Sequence, residues 1–175
     1  AARYELASEM APSQDYYLLF AGRARLEQAR EAAEAERDPL FGAAIDHLQR
    51  ARRLSPLNTD HAANLARAYR TWAEAEANGG QAREHLERAL QHYTEAIALS
   101  PQNAQLYNEA GMTLSALGDV EGARGYFIQS LELDDRYAPT YLLLGDLHLD
   151  ADEWADAITF YNKAVALTPN SVSAL

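Results

Sequence analysis

Tyr107-Asn108-Glu109-Ala110-Gly111-Met112-Thr113-Leu114 and Tyr141-Leu142-Leu143-Leu144-Gly145-Asp146-Leu147-His148 are one pattern written twice, 34 residues apart. The same interval carries Ala123, Phe127, Ser130 and Asp135 onto Ala157, Tyr161, Ala164 and Pro169, so size and polarity recur slot by slot from Pro101 to Pro169. Self-similarity at a fixed period is the mark of a stacked architecture, in which each unit buries its apolar face against its neighbour and none has to be stable alone. A chain of 175 residues has room for about five such units.

The period and the slots resemble the tetratricopeptide repeat, a helix-turn-helix unit of this length. The resemblance implies an all-α fold, an α-solenoid of antiparallel helix pairs wound as a superhelix. Its slots place repeats at about 15–56, 59–101, 104–135 and 138–169 within a domain spanning 13–175, with 172–175 starting a further repeat or cap. Residues 104–118 and 119–134 form one pair, with Asn103 as cap and Leu117-Gly118-Asp119 as turn; 138–150 and 153–168 form the next, with Pro139 in the first turn. Gly111 and Gly145 in mid-helix cost about 1 kcal/mol each against Ala, which points to two backbones approaching closely at both positions.

Working upstream, Ala62, Leu65, Ala66 and Tyr69, then Ala89, Tyr93, Ala96 and Pro101, keep the register behind an Asn58 cap. About 11 residues are inserted between the two halves, with Asn78-Gly79-Gly80 as the turn. Split evenly, they lengthen each helix by roughly 8 Å. In the first unit Leu18, Ala21 and Gly22, then Ala44, Leu48 and Ala51, hold the slots with about 10 extra residues. There the helices are expected over Asp15–Arg37 and Pro39–Leu54, broken at Asp38-Pro39. Arg25 stands where an apolar residue is usual. Residues 1–12 read as a mobile linker. Beyond Pro169, Val172–Leu175 keep the register of a next unit and leave Tyr161, Ala164 and Val165 without cover, a surface suited to self-association.

The net charge of −11 argues against nucleic-acid binding, which needs clustered Lys and Arg. Residues 1–99 hold 15 acids and 12 bases; residues 100–175 hold 11 acids and 3 bases. The apolar runs 16–22 and 141–145 are far too short to span a bilayer, so no membrane insertion is expected of this piece. It opens Ala1-Ala2-Arg3 without a signal-peptide pattern and reads as part of a longer protein. There is no cysteine, no nucleophile elbow and no phosphate-binding glycine loop, so no enzymatic activity and no cofactor are expected. His85 and His92 read as surface histidines and His148 as a half-buried packing residue. Asp146, Asp150, Asp152 and Glu153 lack calcium-loop order and read as a solvated turn, so no metal is expected.

In the family, first helices line a concave groove. The resemblance places Leu19 and Arg23 there from the first unit, Asp60, Asn64, Arg67 and Arg70 from the second, Gln105, Asn108, Glu109 and Met112 from the third, and Leu142, Asp146 and Leu149 from the fourth. Asn64 fits the family's carboxylate clamp, whereas Gln105 and Glu109 replace its basic pair. Arg23, Asn64, Arg67 and Arg70 either form a donor cluster for an acidic or phosphorylated segment or pair with Glu27, Asp60 and Glu74 on their own helices.

Ser55-Pro56-Leu57-Asn58-Thr59-Asp60-His61-Ala62-Ala63-Asn64-Leu65-Ala66-Arg67-Ala68-Tyr69-Arg70-Thr71-Trp72, with Tyr16-Tyr17-Leu18-Leu19-Phe20 upstream, is similar to the repeat region following the membrane part of bacterial O-antigen polymerase or ligase-type proteins. That resemblance implies a soluble appendage of a membrane-anchored enzyme, recruiting protein or peptide partners in polysaccharide assembly. A glycan-binding accessory domain and a structural oligomerisation module are the rival readings.

Overall fold

The computed structural model describes residues 1–76 and 80–168, and all regular structure among them is helical. The chain divides into two compact units, Ala1–Pro101 and Gln102–Leu175.

The first unit holds α1 (Ala2–Met10), α2 (Asp15–Glu31), α3 (Glu34–Leu54), α4 (Thr59–Ala75) and α5 (Ala82–Leu99). Helices α2 and α3 form one hairpin and α4 and α5 the next, with α4 laid against both α3 and α2. Small residues set the spacing. A Cβ on Gly22 would stand 2.7 Å from Leu48 Cγ and 3.1 Å from the Ala44 carbonyl, so only glycine lets α3 come this close. Leu48, Phe41, Leu65 and Tyr93 fill the interior between the helices. Asn58 caps α4 as expected, its side chain accepting from Asp60 N at 3.0 Å.

Three expectations are corrected in this unit. Residues 1–12 are not a bare connector: Ala2–Met10 is a helix packed on α2. Glu5 explains it, receiving Arg25 Nε and Nη2 at 2.7 Å and facing His47 Nε2 at 3.3 Å. The charge at the apolar slot is thus answered from the segment upstream. Second, the first hairpin turns at Ala32-Ala33 rather than at Asp38-Pro39, and Pro39 lies inside α3. Arg37 Nε donates to the Ala32 carbonyl at 3.1 Å, closing the end of α2 from the first turns of α3. Third, the elongation is smaller than expected in one hairpin and reversed in the other. Helices α4 and α5 have 17 and 18 residues where the regular α6 and α7 have 14 each, a gain of about 4.5 and 6 Å rather than 8 Å apiece. Helices α2 and α3 have 17 and 21, so the longer helix of that hairpin is the second and not the first. Of the turn Asn78-Gly79-Gly80, Asn78 and Gly79 lie outside the described residues, as do Pro169 and Val172–Leu175.

The second unit holds α6 (Ala104–Leu117), α7 (Val120–Leu133), α8 (Ala138–Asp150) and α9 (Trp154–Leu167), paired α6 with α7 and α8 with α9, with α8 against α7 and α6. The expected turn is present: Gly118 has φ +86°, and the Asp119 side chain accepts from Gly122 N at 2.9 Å to start α7. Asn103 caps α6. A Cβ on Gly111 would lie 2.5 Å from the Phe127 ring, and one on Gly145 2.5 Å from the Tyr161 ring. The close approach at these glycines is of helix to aromatic ring, and not of backbone to backbone as expected.

Candidate partner-binding clefts

Each unit sets two first helices side by side and leaves a cleft between them. In the first unit the cleft holds about 300 Å³ and is lined by Arg23, Leu26, Glu27 and Arg30 from α2 and Asn64 and Arg67 from α4. Spacings of four and three on α2, and of three on α4, turn these side chains to one face. Arg30 is held in place by two partners, Glu27 Oε1 at 3.1 Å and the buried Thr71 hydroxyl at 3.2 Å on the facing helix. Asn64 donates to the Asp60 carbonyl at 2.7 Å.

Of the residues assigned to a donor cluster, Arg23, Asn64 and Arg67 come together, and Arg30 joins them. Arg70 does not line the cleft; it pairs with Glu74 at 3.0 Å, one helical turn on. Leu19 is half-buried and Asp60 exposed, and neither lines the cleft. Arg30 was legible in principle, because it follows Arg23 and Glu27 at helical spacing.

The two first helices are also tied at their N-terminal ends. His61, 1% exposed, meets Asp15 at 2.7 Å. Hydrogen bonding from Ser55 and then from His61 holds the Asp15 carboxyl below its ordinary value. Burial alone would raise the Glu5 carboxyl, but Arg25 and His47 outweigh it and lower it. Further along, Trp72 stacks on Phe41 at 5.5 Å and on His85 at 4.2 Å, and its indole N–H donates to Asp38 at 2.9 Å. His85, expected at the surface, is only 6% exposed, because the added first turn of α5 lays it against Trp72; that burial lowers its pKa.

In the second unit the cleft between α6 and α8 holds about 290 Å³ and has a different chemistry. Met112, Ser115 and Ala116 face Leu143 and Leu147 over a floor completed by Phe127, and Asp146 and Asp150 stand at its edge. The sequence pattern places Met112 and Asp146 in a groove; Leu143, at the slot of Glu109, and Leu147 and Asp150 join them only in the structure. Leu142 and Leu149 are exposed on α8 without lining the cleft. Gln105 donates to Glu109 at 2.7 Å on its own helix. Asn108 is not a groove residue at all: it is 4% exposed, and its amide donates to Thr140 Oγ1 at 2.9 Å. Thr140 also meets Ser130 at 3.0 Å, whose hydroxyl reaches the Ala104 carbonyl at 3.0 Å. This buried chain ties α6, α7 and α8 together.

His148 is half-buried as expected. It stacks on Phe160 at 5.0 Å and hydrogen-bonds Glu153, and Asp156 lies close enough that one ligand atom from each falls within 4.8 Å of the others. Tyr161 donates to Asp146 at 2.7 Å, and this bond to a carboxylate pushes its hydroxyl up to about 12. On α9, Trp154 and Ile158 are each 59% exposed and Val165 46%, whereas Ala164 is buried. Among the described residues no helix is long and apolar enough to cross a membrane.

The model of the family described as "Tetratricopeptide repeat" matches residues 74–138 and 108–172. Over 99 residues the chain is 31% identical to the Hsp70-Hsp90 organizing protein of Triticum aestivum and 30% identical to DnaJ homolog subfamily C member 7 of Homo sapiens. Those matches cover 57% of this chain and 17% and 20% of the two relatives, so the chain spans about a fifth of their length. Among solved structures it resembles a thermophilic TPR protein of Thermus thermophilus, with TM-score 0.77 and 21% identity over 97% of this chain and 82% of that one. It also resembles YrrB, a TPR protein with an unusual peptide-binding site, with TM-score 0.67 and 20% identity over 97% and 76% of the two chains.

Proposed function

Because the chain belongs to the tetratricopeptide-repeat family, whose members are generally protein-interaction scaffolds, we propose that it is a non-catalytic scaffold whose first unit grips an acidic segment of a partner protein. The observation that carries this reading is the convergence of Arg23, Arg30, Asn64 and Arg67 on one cleft, with Arg30 held by Glu27 and Thr71. Guanidinium groups offer paired N–H donors that match a carboxylate or phosphate, and a pre-positioned one loses less entropy on binding. Similarity to a protein described as having an unusual peptide-binding site supports a peptide as the ligand.

The test is fluorescence anisotropy with a labelled Glu/Asp-rich peptide. Arg30→Glu with Arg67→Glu is expected to weaken binding at least tenfold, about 1.4 kcal/mol. Undiminished binding by that variant would remove the first-unit cleft from the mechanism.

The finer reading, a soluble appendage of a bacterial O-antigen polymerase or ligase-type membrane protein, rests on the stretch Ser55–Trp72 and on Tyr16–Phe20. Hydrophobic segments encoded upstream of Ala1 in the parent gene would support it, and their absence would sink it. A glycan-binding role is less favoured. Trp72, the tryptophan within the first unit, already stacks on both Phe41 and His85. A glycan array showing sugar binding without any peptide binding would reverse this preference.

Self-association is favoured by one observation. Phe41 on α3 is buried under Trp72 of α4, and Ile45 beside it is buried too, whereas Trp154 and Ile158, at the slots of Phe41 and Ile45, are exposed on α9. Light scattering over a concentration series would show dimers sensitive to Ile158→Glu; a strict monomer would exclude this role.

A further inference from the structure

We infer that the cleft between α6 and α8 is a second peptide site, selecting a segment in which Arg or Lys flanks large aliphatic residues. The cleft is built of two parts that ask for two kinds of group. Leu147 and Phe127, 5% and 1% exposed, form an apolar floor with Met112 and Leu143 beside it. Its volume of about 290 Å³ lies at the lower bound for ligand pockets and suits peptide side chains rather than a cofactor. Asp146 and Asp150, both exposed, line the same cleft, and among the described residues no lysine or arginine lines it.

The carboxylates are in the wrong place for the helix that carries them. They are four residues apart on one face, where like charges repel, and they occupy the last two turns of α8, where the helix dipole disfavours anions. Two of the few cations in this unit are engaged elsewhere: Arg124 faces Glu121 at 3.8 Å, and Lys163 lies over the Tyr141 and Phe160 rings. Tyr161 steadies Asp146 by donating to Oδ1. A cation brought by a partner relieves the repulsion at both carboxylates, while its aliphatic neighbours fill the cleft. The excess of 11 acids over 3 bases in residues 100–175 adds long-range attraction of the same sign.

The occupant is therefore of opposite charge to that proposed for the first unit, and the two sites are tested independently. Anisotropy is measured on the full chain with a short fluorescein-labelled peptide carrying arginines around a Leu-Leu pair. The expected result is saturable binding that falls with salt and weakens at least tenfold in the Asp146→Asn, Asp150→Asn variant. That variant removes a repulsive pair and keeps an amide oxygen for Tyr161, so it should stay folded by circular dichroism, and it should bind the Glu/Asp-rich peptide unchanged. A matched peptide with glycines in place of the leucines should bind at least tenfold more weakly. Equal binding of the two peptides would reduce the site to charge alone and overturn the assignment. So would binding untouched by the double substitution, or no binding at all. Dimerisation of the chain abolished by the same substitutions would put a second copy in the cleft and likewise overturn it.

Discussion

The two units use one plan with different fillings. Both tie the second of their first helices back to the preceding one by a buried polar residue at the same slot: His61 to Asp15 in the first unit, Thr140 to Asn108 in the second. In the first unit the longer helices are stitched with arginines and an aromatic stack, and the cleft is basic. In the second the helices keep the regular length, a hydroxyl-amide chain lies inside, and the cleft is apolar with an acidic edge. The lesson is that the apolar slots define the repeat, while the polar residues between them give each unit its own chemistry.

The comparison breaks most violently at the glycine slot. Gly145→Leu forces a side chain into the Tyr161 ring, 2.5 Å from the Cβ position, and is expected to cost about 3 kcal/mol or more. Circular-dichroism melting should show the second unit lost first, and an unchanged melt would refute the close approach. Next comes the buried chain. Asn108→Ala removes the amide that both donates to and accepts from Thr140 Oγ1, leaving that buried hydroxyl with Ser130 alone, and should cost about 2 kcal/mol. Adding Thr140→Val should then cost less than the two changes taken separately, as urea titration can measure.

Smaller effects sharpen the first unit. The Asp15 carboxyl is lowered in the fold, so its contribution is present above its unfolded value of about 3.8 and is lost as pH falls through the depressed folded value. Below about pH 4 the wild type should lose stability faster than Asp15→Asn, by about 1 kcal/mol, in melts recorded across the acid range. Arg25→Ala should cost only about 0.5 kcal/mol, since the pair with Glu5 is partly exposed. Its readout is local: amide exchange should quicken over Ala2–Met10 and leave α4 and α5 unchanged. Slow exchange in α1 after that substitution would mean that packing alone holds it.

Much of the architecture could be read without coordinates, because it is written in the size of residues at a fixed interval. Gly111 and Gly145 announced close contacts, Asn58 and Asn103 announced helix starts, and Gly118 a reversal. The sites were legible only in part. Arg23, Asn64 and Arg67 do share a cleft, but Asn108 looked the same on paper and is buried, because Thr140 in the next repeat reaches its amide. A slot tells which way a side chain leaves the helix; whether it meets solvent depends on the neighbour across from it.

By itself, then, the sequence determined the repeat, the pairing of helices and the Gly118 turn between α6 and α7, since these follow from local period, caps and turns. Tertiary structure alone decided that Ala2–Met10 docks, that Pro39 sits within a helix, that His85 is buried and that Asp146 and Asp150 line one cleft with Phe127 and Leu147. Each of these depends on a contact between residues far apart in the chain, such as Glu5 with Arg25 or Trp72 with His85, and no local rule carries that information.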